Sequence, residues 1–366
     1  MYDVLLLTLA SDRDAAAGCG GGCCGSPDPD GGTGTTGSPA DGTGAATAGA
    51  DCATCSHGSG HEPGSADCAR ADCADTPRVP VLACADALTA AGARVTTVTA
   101  RSDAEIDEVL ARLDGPARPD GLTWPDEDGK TRLVVATASD AQLRAVVRRM
   151  VRRYAPPPSR RPDDLAANRT VPDLPAIGVL PLDPTRSGAD TPADLPGQLG
   201  LPRDPATVAR AVLNGRIRRL DLLRNDGGSV TLDGALLGGA DDDGQPQPWR
   251  GRVEVDDAVL SEGEDPLLAC VVGNAGGYAE VEGVPLLTAP DPADGVVQVA
   301  VAVPVVERSL FGRRRVRVEV RRARGRAVAV LPRDGTVRYF DDGVVGELGR
   351  KRSWWIEPGA WAVYRL

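Results

Sequence analysis

The spacing of apolar residues changes several times along the chain, and each change marks an element. Residues 4–9 form a continuous apolar run that stops at Ser11-Asp12, the form expected of a covered parallel strand. Residues 133–137 are a second such run, after which the period becomes helical. Leu143, Val146, Val147, Met150, Val151 and Tyr154 then share one face, with Arg144, Arg148, Arg149, Arg152 and Arg153 opposite. The pattern predicts a buried strand, a tight turn at 138–142 and an amphipathic helix. Within the turn, Ser139 and Gln142 have the S-x-x-Q spacing of a capping box.

The same reading extends in both directions. Helical spacing over 81–91 ends at Gly92, strand character follows at 94–99, and Ser102 with Glu105 opens a helix that runs to Leu113. Residues 176–182 are another covered strand, and Asp204-Pro205 supplies the cap and first proline of a helix over 206–213. Strands alternating with helices, joined by right-handed crossovers, predict a parallel α/β sheet with helices on both faces. Beyond 215 the helix signals stop. Short strand-like runs at 218–223, 230–232, 252–255, 267–273, 296–303, 316–320, 327–331, 337–340 and 360–364 predict an all-β sandwich. The expected organisation is a first strand in 1–14, an insertion over 15–78, an α/β domain over 79–215 and a β-sandwich domain over 216–366.

Composition changes this picture in one place. The insertion is built from Gly, Ala, Ser, Thr, Pro, Asp and Cys with no apolar period, which predicts disorder. It holds seven of the nine cysteines and both histidines. Cys52, Cys55, His57 and His61 have spacings compatible with tetrahedral zinc, against the alternatives of reduced cysteines in a low-complexity tract or a disulfide framework. The chain as a whole has an ordinary globular balance, with 42% apolar and 25% charged residues. A net charge of −11 argues against nucleic acid as a partner. No apolar run reaches the roughly 18 residues of a membrane span. The amino terminus lacks a signal peptide's positive flank, so a cytoplasmic location is expected.

In motif order the chain resembles the diacylglycerol kinase catalytic family, the lipid-kinase relatives of NAD kinase, over roughly 79–366. That family's first signature is an apolar strand, G-G-D-G-T and a helix. Here Ala138, Ser139, Asp140, Ala141 and Gln142 take the five positions and only the Asp is kept. The second signature, P-x-G-T-G-N-D-F-A-R followed by L-G-L-P, is matched by Pro181, Thr191, Asp194 and Leu199-Gly200-Leu201-Pro202. The third is matched by Gly273-Asn274, Gly276-Gly277, Ala289-Pro290 and Asp294-Gly295. The resemblance implies an NAD kinase-like three-layer α/β domain followed by a β-sandwich, with the nucleotide between them. It further implies ATP and Mg as cofactors, phosphorylation of a lipid hydroxyl at a membrane surface, and Asp294 as general base. Ser139, Asp140, Ala141, Thr191 and Asp194 fall on its nucleotide-binding positions.

The departures from the motif point the other way. A phosphate cradle uses backbone N–H groups on residues without a Cβ. Ala138, Ser139 and Ala141 restore the Cβ, and a capping Ser139 hydroxyl would occupy an N–H. A catalytically inactive pseudokinase, binding lipid or nucleotide in a regulatory role, is therefore the alternative. Each site residue also has a plain structural reading: Asp294 as an Asp-Gly turn, Asp140 as an acid in a first helical turn, Thr191 and Asp194 as loop polar groups. Two cationic stretches, the arginine face 144–153 and Lys351-Arg352 beside Trp354, Trp355 and Trp361, could face an acidic membrane or simply solvent and neighbouring strands.

Overall fold

The computed structural model describes residues 1–10, 79–182, 194–239, 247–281, 283–308 and 314–366. The insertion, its Cys/His cluster and Thr191 lie outside the described residues. In chain order the first half forms β1 (Asp3–Leu9), α1 (Val79–Ala90), β2 (Arg94–Ala100), α2 (Asp103–Leu110), β3 (Thr131–Thr137), α3 (Asp140–Tyr154), β4 (Ala176–Pro181), α4 (Leu195–Gln198) and α5 (Pro205–Asn214). The second half is all strand: β5 (Arg216–Asn225), β6 (Val230–Thr231), β7 (Gly234–Gly238), β8 (Gly251–Val255), β9 (Ala258–Glu262), β10 (Ala269–Gly273), β11 (Glu280–Val281), β12 (Val284–Pro285), β13 (Val297–Arg308), β14 (Arg314–Gly325), β15 (Ala327–Pro332), β16 (Val337–Asp341), β17 (Val344–Leu348) and β18 (Arg352–Arg365).

β2, β1, β3 and β4 pair in parallel in that order. The apolar runs of β1, β3 and β4 have no polar face because both faces are covered, whereas β2 at the edge keeps Arg94 and three threonines. Leu5, Leu7, Leu133 and Val135 pack with Ile106 of α2 and Leu143 of α3, while Val4, Leu6, Val134 and Ala136 pack with Leu88 of α1 and Val208 of α5. This is a three-layer α/β arrangement. Gly178 in β4 shows how closely the layers meet, since a Cβ there would lie 2.3 Å from Val212 Cγ2 of α5.

The parallel sheet does not end at β4. The carboxyl half of β18 pairs in parallel with β4, at Ala362 with Ala176 and Val363 with Ile177. Its amino half pairs antiparallel with β15, and β5 follows nearly its whole length, with an irregularity between Glu357 and Trp361. One ten-stranded sheet therefore runs from the α/β half into the sandwich. A six-stranded antiparallel sheet, ordered β14-β13-β10-β7-β16-β17, packs on its far part around Leu237, Val253, Val272, Val301, Trp354 and Ile356.

The strands the sequence pattern does not show have local reasons. β7 is Gly-Ala-Leu-Leu-Gly, bounded by glycines and too short to establish a period. The amino half of β18 is interrupted by Glu357-Pro358-Gly359, the residues that form its irregularity. Most arginines on the face of α3 are paired with acids of neighbouring elements, while Arg152 is exposed. Arg148 and Arg149 pair with Asp103 of α2 at 3.0 and 3.1 Å, and Arg149 also meets Asp107. Arg153 meets Asp114, and Arg144 reaches Asp341 of β16 at 2.7 Å. Trp354 and Trp361 are core residues at 1% exposure, and Trp355 stacks with Arg224. Among the described residues no helix is long and apolar enough to cross a membrane.

Candidate functional site

The turn after β3 follows the carboxyl end of a central parallel strand and precedes a helix, the position where α/β folds bind phosphate. Ser139 is the N-cap of α3 with extended backbone, φ −156° and ψ 159°. Its hydroxyl makes no capping hydrogen bond and Gln142 does not reach the Ser139 N–H, so the expected capping box does not form. Gln142 Oε1 accepts from the Ala138 N–H at 2.8 Å, and Thr137 Oγ1 accepts from the Ser139 N–H at 3.2 Å. Side chains thus take the two N–H groups that lead into the helix. None of residues 138–142 has a positive φ, so the turn does not use the conformation for which glycine would be needed.

The two acids expected here are brought together, and both serve α4. Asp140 accepts from the Leu195 N–H through both carboxylate oxygens, at 3.1 and 3.2 Å. Asp194 is the N-cap of α4, accepts from the Gly197 N–H at 3.0 Å and pairs with Arg203. With Ser139, Pro181 and Pro196 they enclose about 10 Å³, roughly the room of one water. Ala141 lies in the first turn of α3.

Asp294 lies on the turn before β13. Its Oδ1 accepts from the Val296 N–H at 3.1 Å and its Oδ2 pairs with Arg324, leaving the side chain 24% exposed. Asp221 on β5 fixes this turn, accepting from the Gly295 N–H at 2.7 Å and the Gly359 N–H at 2.6 Å. Gly295 has φ +74°, a conformation that disfavours any side chain. Burial pushes the Asp221 carboxyl above the usual carboxylate range, against the pull of these two bonds.

A hydrogen-bonded chain connects the two ends of the site. Gln198 of α4 donates to Asp233 at 3.0 Å, and Asp233 also accepts from the Gly277 N–H at 2.9 Å. The Asn274 amide donates to the carbonyls of Asp221 and Leu232 at 2.9 and 2.8 Å. The glycine-rich strand end is therefore closed against protein. A Cβ on Gly277 would sit 1.9 Å from Asp233 Oδ2, and one on Gly273 would sit 2.2 Å from Leu287 Cδ1. Burial raises the Asp233 carboxyl too. Asn274 belongs to the third signature, whereas Asp221, Asp233 and Gln198 were not singled out by the sequence. Asp221 had a signal, an acid between the leucines of the strand-like run 218–223; Asp233 is hidden in an Asp-Gly pair that reads as a turn.

The described residues at this turn do not fit a nucleoside triphosphate, because the space is about one water and both acids are committed to α4. Among the described residues no group of three or more His, Cys, Asp or Glu side chains is placed to hold a metal ion.

No protein-family model matches the chain, and no curated protein matches it in sequence. Solved structures do match. One, a diacylglycerol kinase-type protein from Bacillus anthracis str. Sterne, aligns over 78% of this chain and 91% of its own, at 11% identity and a TM-score of 0.51. The chain has the diacylglycerol kinase fold. A diacylglycerol kinase structure from the same organism aligns over 76% and 88% at 11% identity, TM-score 0.47. Yeast NADH kinase complexed with NADH aligns over 80% and 81% at 12% identity, TM-score 0.38. At these identities the likeness concerns the fold, and chemistry has to be argued from the side chains.

Proposed function

We propose that the chain is a diacylglycerol kinase-like protein that keeps the lipid-kinase fold and has lost ATP-dependent phosphoryl transfer, acting as a lipid- or nucleotide-binding regulatory protein. The observation that carries this reading is the turn 138–142, where Asp140 and Asp194 are spent on α4 and side chains hold the leading N–H groups. Phosphoryl transfer depends on positioning the phosphates and neutralising their charge. The turn encloses about the room of one water, and side chains hold its Ala138 and Ser139 N–H groups. Titration calorimetry with Mg-ATP tests the reading; micromolar binding together with turnover of a lipid alcohol would overturn it.

One observation favours the active alternative, an ATP- and Mg-dependent lipid kinase. Asp294 is partly exposed on a turn held in place by buried Asp221, as a general base for a lipid hydroxyl has to be. It would accept the hydroxyl proton once Arg324 released its Oδ2. Transfer of label from ATP to a panel of lipid alcohols, abolished in Asp294→Asn, supports that alternative; transfer unchanged in the variant removes Asp294 from it. Under either reading the protein works in the cytoplasm, touching a membrane surface peripherally to meet its lipid.

A further inference from the structure

The hairpin of β13 and β14 runs past the sheet that holds it. β13 pairs with β10 over residues 298–302 alone, while its pairing with β14 continues from Val303 with Glu319 to Arg308 with Arg314. These six pairs form a two-stranded ribbon, roughly 20 Å long at ~3.3 Å per residue. Among the described residues no strand pairs with it on the β10 side. Burial fades along the ribbon. Val303 is 3% exposed in the sandwich core, whereas Val306 and Val316 are 53% and 64% exposed.

Val306 and Val316 are directly opposite each other in the register. Such a pair brings its Cβ atoms to within about 5 Å, so the outer ribbon carries one joined apolar spot and not two scattered residues. A two-stranded ribbon standing alone in water is marginally stable, and this one spends its β-branched residues on solvent. Both facts argue that something packs against it.

Charge indicates the partner. Over residues 305–308 and 314–317 the ribbon carries four arginines, Arg308, Arg314, Arg315 and Arg317, against Glu307, a balance of +3 in a chain of −11. Glu319 at the base is taken by Arg321 at 3.1 Å. The partner is therefore anionic, and it also has hydrocarbon to offer the valines. A nucleic acid would meet the arginines through phosphate but gain little from a valine pair. A bilayer of anionic lipid supplies both groups at one depth.

We propose that the hairpin of β13 and β14 docks on an anionic lipid bilayer, with Val306 and Val316 entering at headgroup level and the arginines around them meeting lipid phosphates. The inference rests on the membrane contact of the proposed function and names its surface. Val306 lies nine residues along β13 from Val297, roughly 30 Å, and Asp294 precedes that start. The contact is thus an anchor and does not deliver lipid to Asp294.

The test is co-sedimentation of the full chain with phosphatidylcholine vesicles, with and without phosphatidylglycerol. Binding is expected only where phosphatidylglycerol is present, and it is expected to weaken as salt rises. Arg314→Gln with Arg315→Gln is expected to weaken it about thirtyfold, and Val306→Ser with Val316→Ser about tenfold. The same loss of two charges at exposed Arg112 and Arg152 is expected to leave it unchanged. Should one hairpin pair fail to fold, judged by circular dichroism, the other decides alone. A wild type that sediments with neither vesicle overturns the anchor and the membrane contact of the proposed function together. The anchor alone is overturned by equal binding to both vesicles, by anionic binding that survives the hairpin variants, or by an equal loss in the Arg112 and Arg152 variant. Self-association in sedimentation equilibrium that Val306→Ser with Val316→Ser abolishes would likewise overturn it, assigning the surface to a second copy.

Discussion

Asp140 is the one side chain of the glycine-rich motif that this turn retains, and its carboxylate faces protein. Replacing it in Asp140→Ala removes the acceptor for the Leu195 N–H, with an expected loss of about 1–2 kcal/mol in urea unfolding. A loss near zero would show that the acid is not committed to α4. Asp342 makes a different argument. It accepts from the N–H groups of Leu232, Asp233 and Gly234 at 2.7, 2.9 and 3.2 Å beside buried Asp341, and burial with that second carboxylate holds its pKa well above the usual range. A carboxyl raised in the folded state stabilises fully below its unfolded value of about 4 and loses that contribution as pH rises through the folded value. The stability of the wild type relative to Asp342→Asn is therefore expected to fall as pH rises above about 4; a gap constant with pH would contradict the raised carboxyl. At this scale the sequence was legible where a residue's role is local. The acid in the first turn of α3 and the capping Ser102, whose hydroxyl accepts from Glu105 N–H at 3.3 Å, both follow from neighbours in sequence. Asp221 and Asp342 take their roles from partners more than 70 residues away, which no short window contains.

Among elements, α3 is fastened on two sides. Its apolar face packs on β3 and its arginines join it to α2 and to β16. The helical period made the element and its buried face readable, but not which acids would meet the arginines, because those partners come from separate elements. Arg144 is 11% exposed and Asp341 is 1% exposed, so removing the cation strands a buried carboxylate. Arg144→Met is expected to cost about 3–5 kcal/mol, whereas the same change at exposed Arg152 is expected to stay within about 0.5 kcal/mol. Denaturant melts of the two variants check this, and equal losses would mean that the pairing contributes nothing beyond the helix surface.

For the whole molecule, the sequence told apart a βα half and an all-β half, because covered parallel strands and short turn-bounded strands leave different patterns. It did not show that β18 belongs to both. Trp354 in that strand lies in the sandwich core and Trp361 in the α/β core. The halves are accordingly expected to melt as one unit: fluorescence of Trp361→Phe and of Trp354→Phe should report the same denaturant dependence as circular dichroism in each variant. Separate midpoints within either variant would show that the halves unfold apart. The shared strand also bears on how the chain is made. While residues 352–365 are still inside the ribosome, β4 has no neighbour on the side away from β3, and β15 and β5 lack the strand they share. The nascent chain therefore presents open strand edges until residues 352–365 have emerged, a template for wrong pairing. A ribosome-stalled chain ending before 352 is expected to stay protease-sensitive throughout the described α/β segment.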